Sequence, residues 1–449
     1  MSNSVQPLSL PMDKAAAKSA RRTRSRFGIL ALLAIGTTIN YLDRSVAGIA
    51  APGMSHDLGL TPVLMGVIFS AFSWTYAASQ IPGGILLDRL GTKVTYCLAI
   101  TLWSLFTGLQ GLAIGFTSLL VMRLLIGAAE APCFPTNSRV VAIWFPQHER
   151  ARATGIYTFA EYVGLAFLSP LLFWLDHRFG WRILFGVVGT VGVVFGGIWW
   201  MCFSEPHQSK STNQAELDYI AEGGGVVNGG EKAEAFRWSQ IGALLRNRSM
   251  IGICCGQFAC NSTNVFFLTW FPTYLVVERH MPWLKVGFVA AVPFVAASVG
   301  SLVGGWVSDW MLRCGVSLNW ARKLPVIAGL FTASSIVLAN YVESNTVVLA
   351  ILCVAYFAQG MAGLSWVILS EIAPRNLLGV SGGVFNVSGN AAGIVIPVVI
   401  GAIVGATGSF VYALAFISAV TLLGTLSYVF VVGDIKRISL SKPADRGAA

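Results

Sequence analysis

The stretch GGILLDRLGTK, Gly83–Lys93, decides the fold, because it returns in altered form as GGWVSDWMLRCG, Gly304–Gly315. Both copies read Gly-Gly, three residues, an aspartate and then a loop that contains basic residues. Each copy follows a long apolar segment. Internal symmetry of this kind predicts two related halves, and it is typical of membrane proteins that rock about a site near the bilayer midplane.

The composition is too apolar for a water-soluble chain of this size. Of the 449 residues, 55% are hydrophobic and 11% are charged, and the mean hydropathy is +0.69. Apolar windows of about 20 residues, enough for a helix to cross the hydrocarbon, recur along the chain. We therefore predict an all-α membrane protein with twelve transmembrane helices in two pseudo-symmetric six-helix bundles. The predicted spans are 27–51, 62–86, 94–115, 117–143, 152–175, 182–203, 249–277, 286–311, 323–342, 346–370, 378–406 and 409–433.

These spans divide the chain into two bundles joined by a polar, glycine-rich linker. Within the linker, Asn213 followed by Glu216 predicts a short capped helix. A second repeat supports the division, since Gly155 and Pro170 in the fifth span have the same spacing as Gly382 and Pro397 in the eleventh. The predicted boundaries are a cytoplasmic tail 1–26, bundles 27–203 and 249–434, a cytoplasmic linker 204–248 and a cytoplasmic tail 435–449.

The formal charge of +10 has a topological origin. With twelve spans, both termini lie on one side, and most of the 30 Lys and Arg residues lie there too. The exceptions are Arg178, Arg182, Arg279 and Lys285 on the opposite side, and Arg44 and Arg123 inside spans. This bias predicts cytoplasmic termini, and it removes the need for a nucleic-acid partner.

Five ionisable residues fall inside the predicted spans, all in the first half: Asp43, Arg44, Arg123, Glu130 and Glu161. Each costs about 2.5–3.5 kcal/mol at the centre of a membrane helix, so they are expected to face one another or water. Arg123 and Glu130 share one face of the fourth span, whereas Arg44 shares a face with Tyr41 and Asp43 points to a different side.

Two interpretations of these charges remain open. A static ion-pair network would fix helix packing, but two arginines against three carboxylates leave one carboxylate over. A surplus buried carboxylate is a natural proton site, because desolvation favours its neutral form. Guanidinium groups are also bidentate partners for a substrate carboxylate. The second half offers neutral polar groups instead: Gln257, Asn261, Asn264, Gln359, Ser365, Asn386 and Asn390.

Several motifs resemble a known family. The loop GGILLDRLGTK is similar to the signature loop of the major facilitator superfamily. NYLDR, RLLIGAAEAPCFPTNSR, WFPQHERA, ARKLPVI and GGVFN resemble its anion:cation symporters, the phthalate permease family, which includes bacterial hexuronate, galactonate and glucarate transporters. The likeness covers residues 27–438. It implies a proton-coupled importer of a sugar acid in the bacterial inner membrane, working as a monomer.

The resemblance also implies roles for individual residues. The implied substrate-binding residues are Arg44, Arg123, Tyr76, Ser365, Trp366 and Asn386, with Tyr41 and Glu161 added from their position in the spans; the implied proton-coupling residues are Asp43 and Glu130. Glu161 departs from the family, where glutamine is usual. Glu161 could accept hydrogen bonds from more sugar hydroxyls or, if ionised, repel a second carboxylate, and either effect favours a mono-acid, a hexuronate such as galacturonate or glucuronate. Pairing of Glu161 with an arginine remains open as well. The alternatives are an aldonate (galactonate) or aldarate (glucarate) symporter, or an exporter of organic anions.

Asp88 and Arg89 sit at a cytoplasmic helix end, where we expect a gating role. Asp309 is their counterpart, with Arg313 as its nearby base, and Arg139 and Arg150 are the candidate partners of Asp88. The five histidines lie at loops or span ends, and the cysteines lack metal-site spacing. We therefore predict no enzyme activity, no catalytic or metal-binding residues and no cofactor.

Overall fold

The computed structural model describes residues 22–225, 238–374 and 377–438. Within these ranges it is built from helices. They are α1 Ser25–Leu58, α2 Pro62–Ala78, α3 Gln80–Gln110, α4 Phe116–Glu130, α5 Cys133–Trp144, α6 Gln147–Phe179, α7 Trp181–Cys202, α8 Gln214–Glu222, α9 Trp238–Leu245, α10 Arg248–Thr269, α11 Phe271–Thr273, α12 Trp283–Arg313, α13 Leu318–Ala333, α14 Asn345–Ala362, α15 Ser365–Ile372, α16 Leu378–Thr407 and α17 Val411–Leu426. Short 3₁₀ segments lie at Pro206–Gln208 and Ser334–Tyr341, and π-helical turns at Tyr274–Glu278 and Ser427–Val431.

These helices make twelve membrane crossings. In the described part of the chain, eleven helical stretches are long and apolar enough to cross a membrane. One of them, Pro62–Gln110, has 49 residues. A straight helix of this size would be about 74 Å long at 1.5 Å per residue, which far exceeds one membrane crossing. This stretch turns at Gly91, whose φ of 76° and ψ of 173° interrupt the helix. A positive φ favours glycine, and the turn lies inside the repeated stretch that predicted the fold.

The fourth and tenth spans, which occupy equivalent places in the two bundles, are both broken. The fourth turns at Ala131 and Pro132, between α4 and α5, and the tenth turns at Gly363 and Leu364, between α14 and α15. The predicted spans 117–143 and 346–370 are continuous, and the structure corrects both. Broken spans are tolerated where the freed backbone groups face protein or a polar cavity. The breaks place Glu130 at the end of one helix and Ser365 at the start of another.

The two bundles pack together at the end of the spans away from the termini. A Cβ on Gly66 would lie 2.5 Å from the carbonyl oxygen of Pro397, and one on Gly287 would lie 2.8 Å from the Cβ of Phe173 and 3.6 Å from the Cα of Pro170. Backbones this close require glycine. The two repeated prolines therefore lie at equivalent inter-bundle contacts, α2 against α16 and α6 against α12.

The linker helix α8 is docked on the first bundle. Asn213 caps it by accepting a hydrogen bond from the Glu216 amide at 3.0 Å, as the sequence predicts. Glu216 is fully buried. Its carboxylate accepts hydrogen bonds from the Thr23 hydroxyl at 2.6 Å, the Ser25 amide at 3.1 Å and the Arg26 guanidinium at 3.0 Å. The segment between the bundles also holds α9, so much of the predicted linker is helical.

Candidate functional site

An ion pair between Arg44 and Glu130 lies at the centre of the first bundle. Arg44 projects from α1, and Glu130 is the last residue of α4, directly before the break. The Arg44 Nε donates to Glu130 Oε1 at 2.6 Å, and Nη2 contacts the same oxygen. The Glu130 side chain is fully buried, whereas 18% of the Arg44 side chain is exposed. The pair is therefore closed on the carboxylate side and partly open on the guanidinium side.

Four aromatic rings surround the Arg44 guanidinium. Its Cζ lies 4.9 Å from the ring centroids of Phe72 and Tyr76, 5.3 Å from Tyr41 and 6.0 Å from Phe134. Phe72 and Tyr76 are stacked with centroids 5.3 Å apart, as expected for residues four apart on α2. Rings at these distances favour a cation at this point.

Asp43 and Arg123 are also buried close to Glu130. Asp43 is 2% exposed and Arg123 is 3% exposed. Among the described residues, neither oxygen of Asp43 has a hydrogen-bond partner, nor has the Nε of Arg123. The polar and charged side chains close to Asp43 are those of Glu130, Trp103 and Arg123. Arg44 is therefore bonded to Glu130, whereas Asp43 is bonded to neither arginine among the described residues.

Glu161 reaches the cluster from α6. It is 3% exposed, and its Oε1 has no hydrogen-bond partner. The polar and charged side chains close to the Glu161 carboxyl group are those of Tyr41 and Arg44. Because Arg44 is bonded to Glu130, the structure does not support a direct arginine partner for Glu161.

The second bundle contributes a neutral cluster. Ser365, at the start of α15, donates to Gln257 Oε1 at 3.2 Å. Asn261 donates to the Gly389 carbonyl at 2.7 Å, and Tyr356 donates to Asn264 Oδ1 at 2.6 Å. These contacts hold α10 against α14, α15 and α16 without any charge.

Asn386 and Trp366 sit beside that cluster. The Asn386 side-chain oxygen accepts a hydrogen bond from Asn390 at 3.2 Å. Trp366 is 46% exposed and packs edge-on against Phe385 at 4.8 Å. Among the described residues, no hydrogen bond joins these side chains to the charges of the first bundle. A Cβ on Gly393, one turn beyond Asn390, would clash with Ser73, one turn before Tyr76, so the two clusters flank the α2–α16 contact.

The predicted gating residues form two exposed ion pairs. Asp88 pairs with Arg139 at 3.1 Å, and Asp309 pairs with Arg322 at 3.0 Å. Arg313 is therefore not the partner of Asp309. Arg150 is not bound to Asp88 either; it donates to the carbonyls of residues 142, 145 and 224. Arg89 is exposed.

Several residues at the site were missed by sequence reasoning. Asn40 is fully buried close to Glu130, and neither of its side-chain polar atoms makes a hydrogen bond within standard geometry to another described residue. It stands in NYLDR, so the motif contained the signal. Trp103 beside Asp43 and Phe134 beside Arg44 come from spans in which aromatic residues are common, and nothing in the sequence singles them out.

Two pseudo-symmetric helix bundles around a cluster of buried charge define a secondary transporter. The chain belongs to the Major Facilitator Superfamily, whose family model matches residues 33–397. This confirms the superfamily predicted from the motifs, and likewise the twelve-span fold. Among solved structures, the D-xylose–proton symporter shares this fold with a TM-score of 0.71 and 14% sequence identity, over 92% of this chain and 99% of that one.

Several named transporters are similar to this chain over almost its whole length. The probable galactarate/D-glucarate transporter GudP of Escherichia coli K12 is 43% identical, over 96% of this chain and 99% of that protein. A D-galactonate transporter of Escherichia coli O6:H1 is 44% identical, over 94% and 98%. A probable L-galactonate transporter of Escherichia coli K12 is 31% identical, over 96% and 94%.

Proposed function

We propose that this chain is a proton-coupled symporter that imports a sugar acid of the aldonate or aldarate class across the bacterial inner membrane, with both termini in the cytoplasm. The names of its relatives support an aldonate or an aldarate over the hexuronate expected from the sequence. The seat of the activity is the charged cluster of the first bundle.

The single observation that carries this proposal is the Arg44–Glu130 ion pair. Protonation of Glu130 removes the negative charge that holds Arg44, and it leaves a buried guanidinium in need of an anion. A substrate carboxylate can fill that place in bidentate geometry. Since an unpaired buried charge is costly, proton and substrate binding each favour the other. An ion pair that both ligands break is a physical basis for symport.

The remaining residues complete a cycle. Protons from outside neutralise Asp43 and Glu130, and the substrate carboxylate binds Arg44 and Arg123. Tyr41 and Tyr76 line the guanidinium, while Ser365, Trp366 and Asn386 meet the hydroxyl groups. With cytoplasmic termini, the bundle contacts at Gly66 and Gly287 close the outer side. Loss of the protons to the cytoplasm lets Glu130 take Arg44 back and expels the substrate.

Uptake by the purified protein in proteoliposomes tests this function. An inward proton gradient is expected to drive accumulation of galactonate, glucarate or galactarate in preference to galacturonate and glucuronate. If the gradient does not change accumulation of any of them, the proposal is wrong. Counterflow in right-side-out and inverted vesicles separates import from export.

The Glu130→Gln variant tests the coupling residue. It is expected to bind substrate, because the neutral amide imitates the protonated acid and leaves Arg44 free. It should not accumulate substrate against a gradient, because no proton can be exchanged. A variant that still concentrates substrate in response to pH would show that Glu130 is not the coupling site.

A further inference from the structure

We infer that Glu161 remains a neutral acid in the working carrier, and that the loaded site therefore takes a dianionic sugar acid, an aldarate. This inference rests on the proposed symport and narrows its substrate class. It reverses the expectation of a mono-acid from sequence, which rested in part on an ionised Glu161 that repels a second carboxylate.

The first argument is that Glu161 lacks a cation of its own. Arg44 is its only cationic neighbour among the described residues, and that guanidinium is bonded to Glu130. Glu161 is 3% exposed, so water does not replace the missing partner. An ionised carboxylate buried without a cation is strongly disfavoured against its neutral form.

The other titratable groups around Glu161 do not change this balance. Tyr41 of α1 and Cys133 of α5 face it, and Tyr157 and Tyr162 share its helix. Each of these four groups is uncharged in its ordinary form at neutral pH, and none can supply a positive charge. Glu161 thus differs from Glu130, which has Arg44 at hydrogen-bond distance.

The second argument is the charge balance of the cluster. With Glu161 neutral, the two arginines face two ionised carboxylates, Asp43 and Glu130, and the empty cluster has no net charge. Protonation of both coupling acids then leaves two positive charges, Arg44 and Arg123. A dianion neutralises both of them, whereas a monoanion leaves one buried arginine without a partner. A protonated Glu161 can also donate a hydrogen bond to the substrate.

The Glu161→Gln variant separates the two states of this residue. If Glu161 is neutral, the amide is a close replacement, and the preference for glucarate over galactonate at pH 6.5 should change by less than about threefold, since charge is conserved. If Glu161 is ionised, the variant loses a negative charge, so the site becomes more positive by one unit. The preference should then shift towards glucarate by about tenfold or more. That second result would overturn the inference. Glu149→Gln, on the same helix but outside the cluster, is the matched control.

A pH series on the unmodified protein and on Glu161→Gln gives an independent measurement. Asp43 and Glu130 titrate alike in the wild type and in Glu161→Gln, so the difference between the pH series of these two proteins isolates Glu161. The glucarate preference of the wild type should fall, approaching about tenfold per pH unit, once the pH is high enough to ionise Glu161. In Glu161→Gln this additional fall should be absent. A wild-type preference for galactonate throughout would refute the inference, whereas proton-independent uptake of both would refute the symport itself.

Discussion

The two bundles share a fold but bring opposite kinds of polarity to the site. In the first bundle, buried charges meet polar atoms without partners, including both oxygens of Asp43 and both side-chain polar atoms of Asn40. In the second bundle, most polar side chains are neutral and already bonded to one another, as Ser365 is to Gln257 and Tyr356 is to Asn264.

This difference separates what must change from what can stay fixed. A buried polar atom without a partner is costly, so the first bundle gains most when a proton or an anion arrives. The second bundle also has buried polar atoms without partners among the described residues, such as Gln359 Oε1 and Ser381 Oγ, but none of these atoms carries a charge, so it can present hydroxyl and amide groups to a sugar without exchanging a proton. In the proposed cycle, coupling therefore belongs to the first bundle and recognition of hydroxyl groups to the second.

The largest effect is expected from Arg44→Ala. It removes the proposed grip on the substrate and leaves Glu130 as an unpaired buried charge, a loss of about 3–5 kcal/mol for a buried pair broken on one side. Uptake should fall by more than about a hundredfold, because each 1.4 kcal/mol is a factor of ten. Initial rates in proteoliposomes measure this. Arg139→Ala, which breaks an exposed pair, is the control. Wild-type uptake rates in Arg44→Ala would show that Arg44 does not bind the substrate.

The sequence predicted much of this contrast, because both of its causes are local. Apolar windows and the repeated Gly-Gly stretches gave the twelve crossings, and an inventory of charges within spans found all five in the first half. Helical azimuth separated Arg44 from Asp43. These inferences need only the geometry of one helix at a time.

What the sequence did not predict depends on packing between helices. Arg44, rather than Arg123, holds Glu130, and Glu161 has no arginine; spacing within one span contains no information about either. The breaks at Pro132 and Gly363 lie within apolar windows, and hydropathy averaged over a window does not reveal a turn in the helix. Asp309 pairs with Arg322 across a loop, although Arg313 is closer in sequence.

The next largest effect should appear in stability. Glu216→Gln weakens the hydrogen bonds that a buried carboxylate makes with Thr23, Ser25 and Arg26, and charged hydrogen bonds are worth about 1.5–3 kcal/mol each. The thermal unfolding temperature of the purified protein should drop by several degrees. Asp218→Asn, on the exposed side of the same helix, should leave it unchanged. Equal unfolding temperatures for wild type and Glu216→Gln would show that the docked linker helix adds nothing to the first bundle.

A smaller effect is expected in the neutral cluster. Ser365→Ala removes a hydroxyl that bonds Gln257, and a neutral hydrogen bond contributes about 0.5–1.5 kcal/mol. The KM should rise roughly two- to tenfold with little change in the pH dependence of uptake, because no titrating group is lost. Ser370→Ala, on the exposed face of the same helix, is the control. A changed proton dependence in Ser365→Ala would break the division of work between the bundles.

The smallest effect should come from the two repeated Gly-Gly stretches, where the bundles have equivalent aspartates. Asp88 and Asp309 occupy the same position in the two copies of the repeat, and their side chains are 81% and 59% exposed in ion pairs. Exposed pairs contribute about 0–1 kcal/mol, so Asp88→Asn and Asp309→Asn should each change the uptake rate by less than about fivefold. The two variants should also resemble each other at low and high salt, since screening acts on both pairs. If Asp88→Asn alone abolished transport, the two stretches would not be equivalent, and Asp88 would hold a conformation by more than its bond to Arg139.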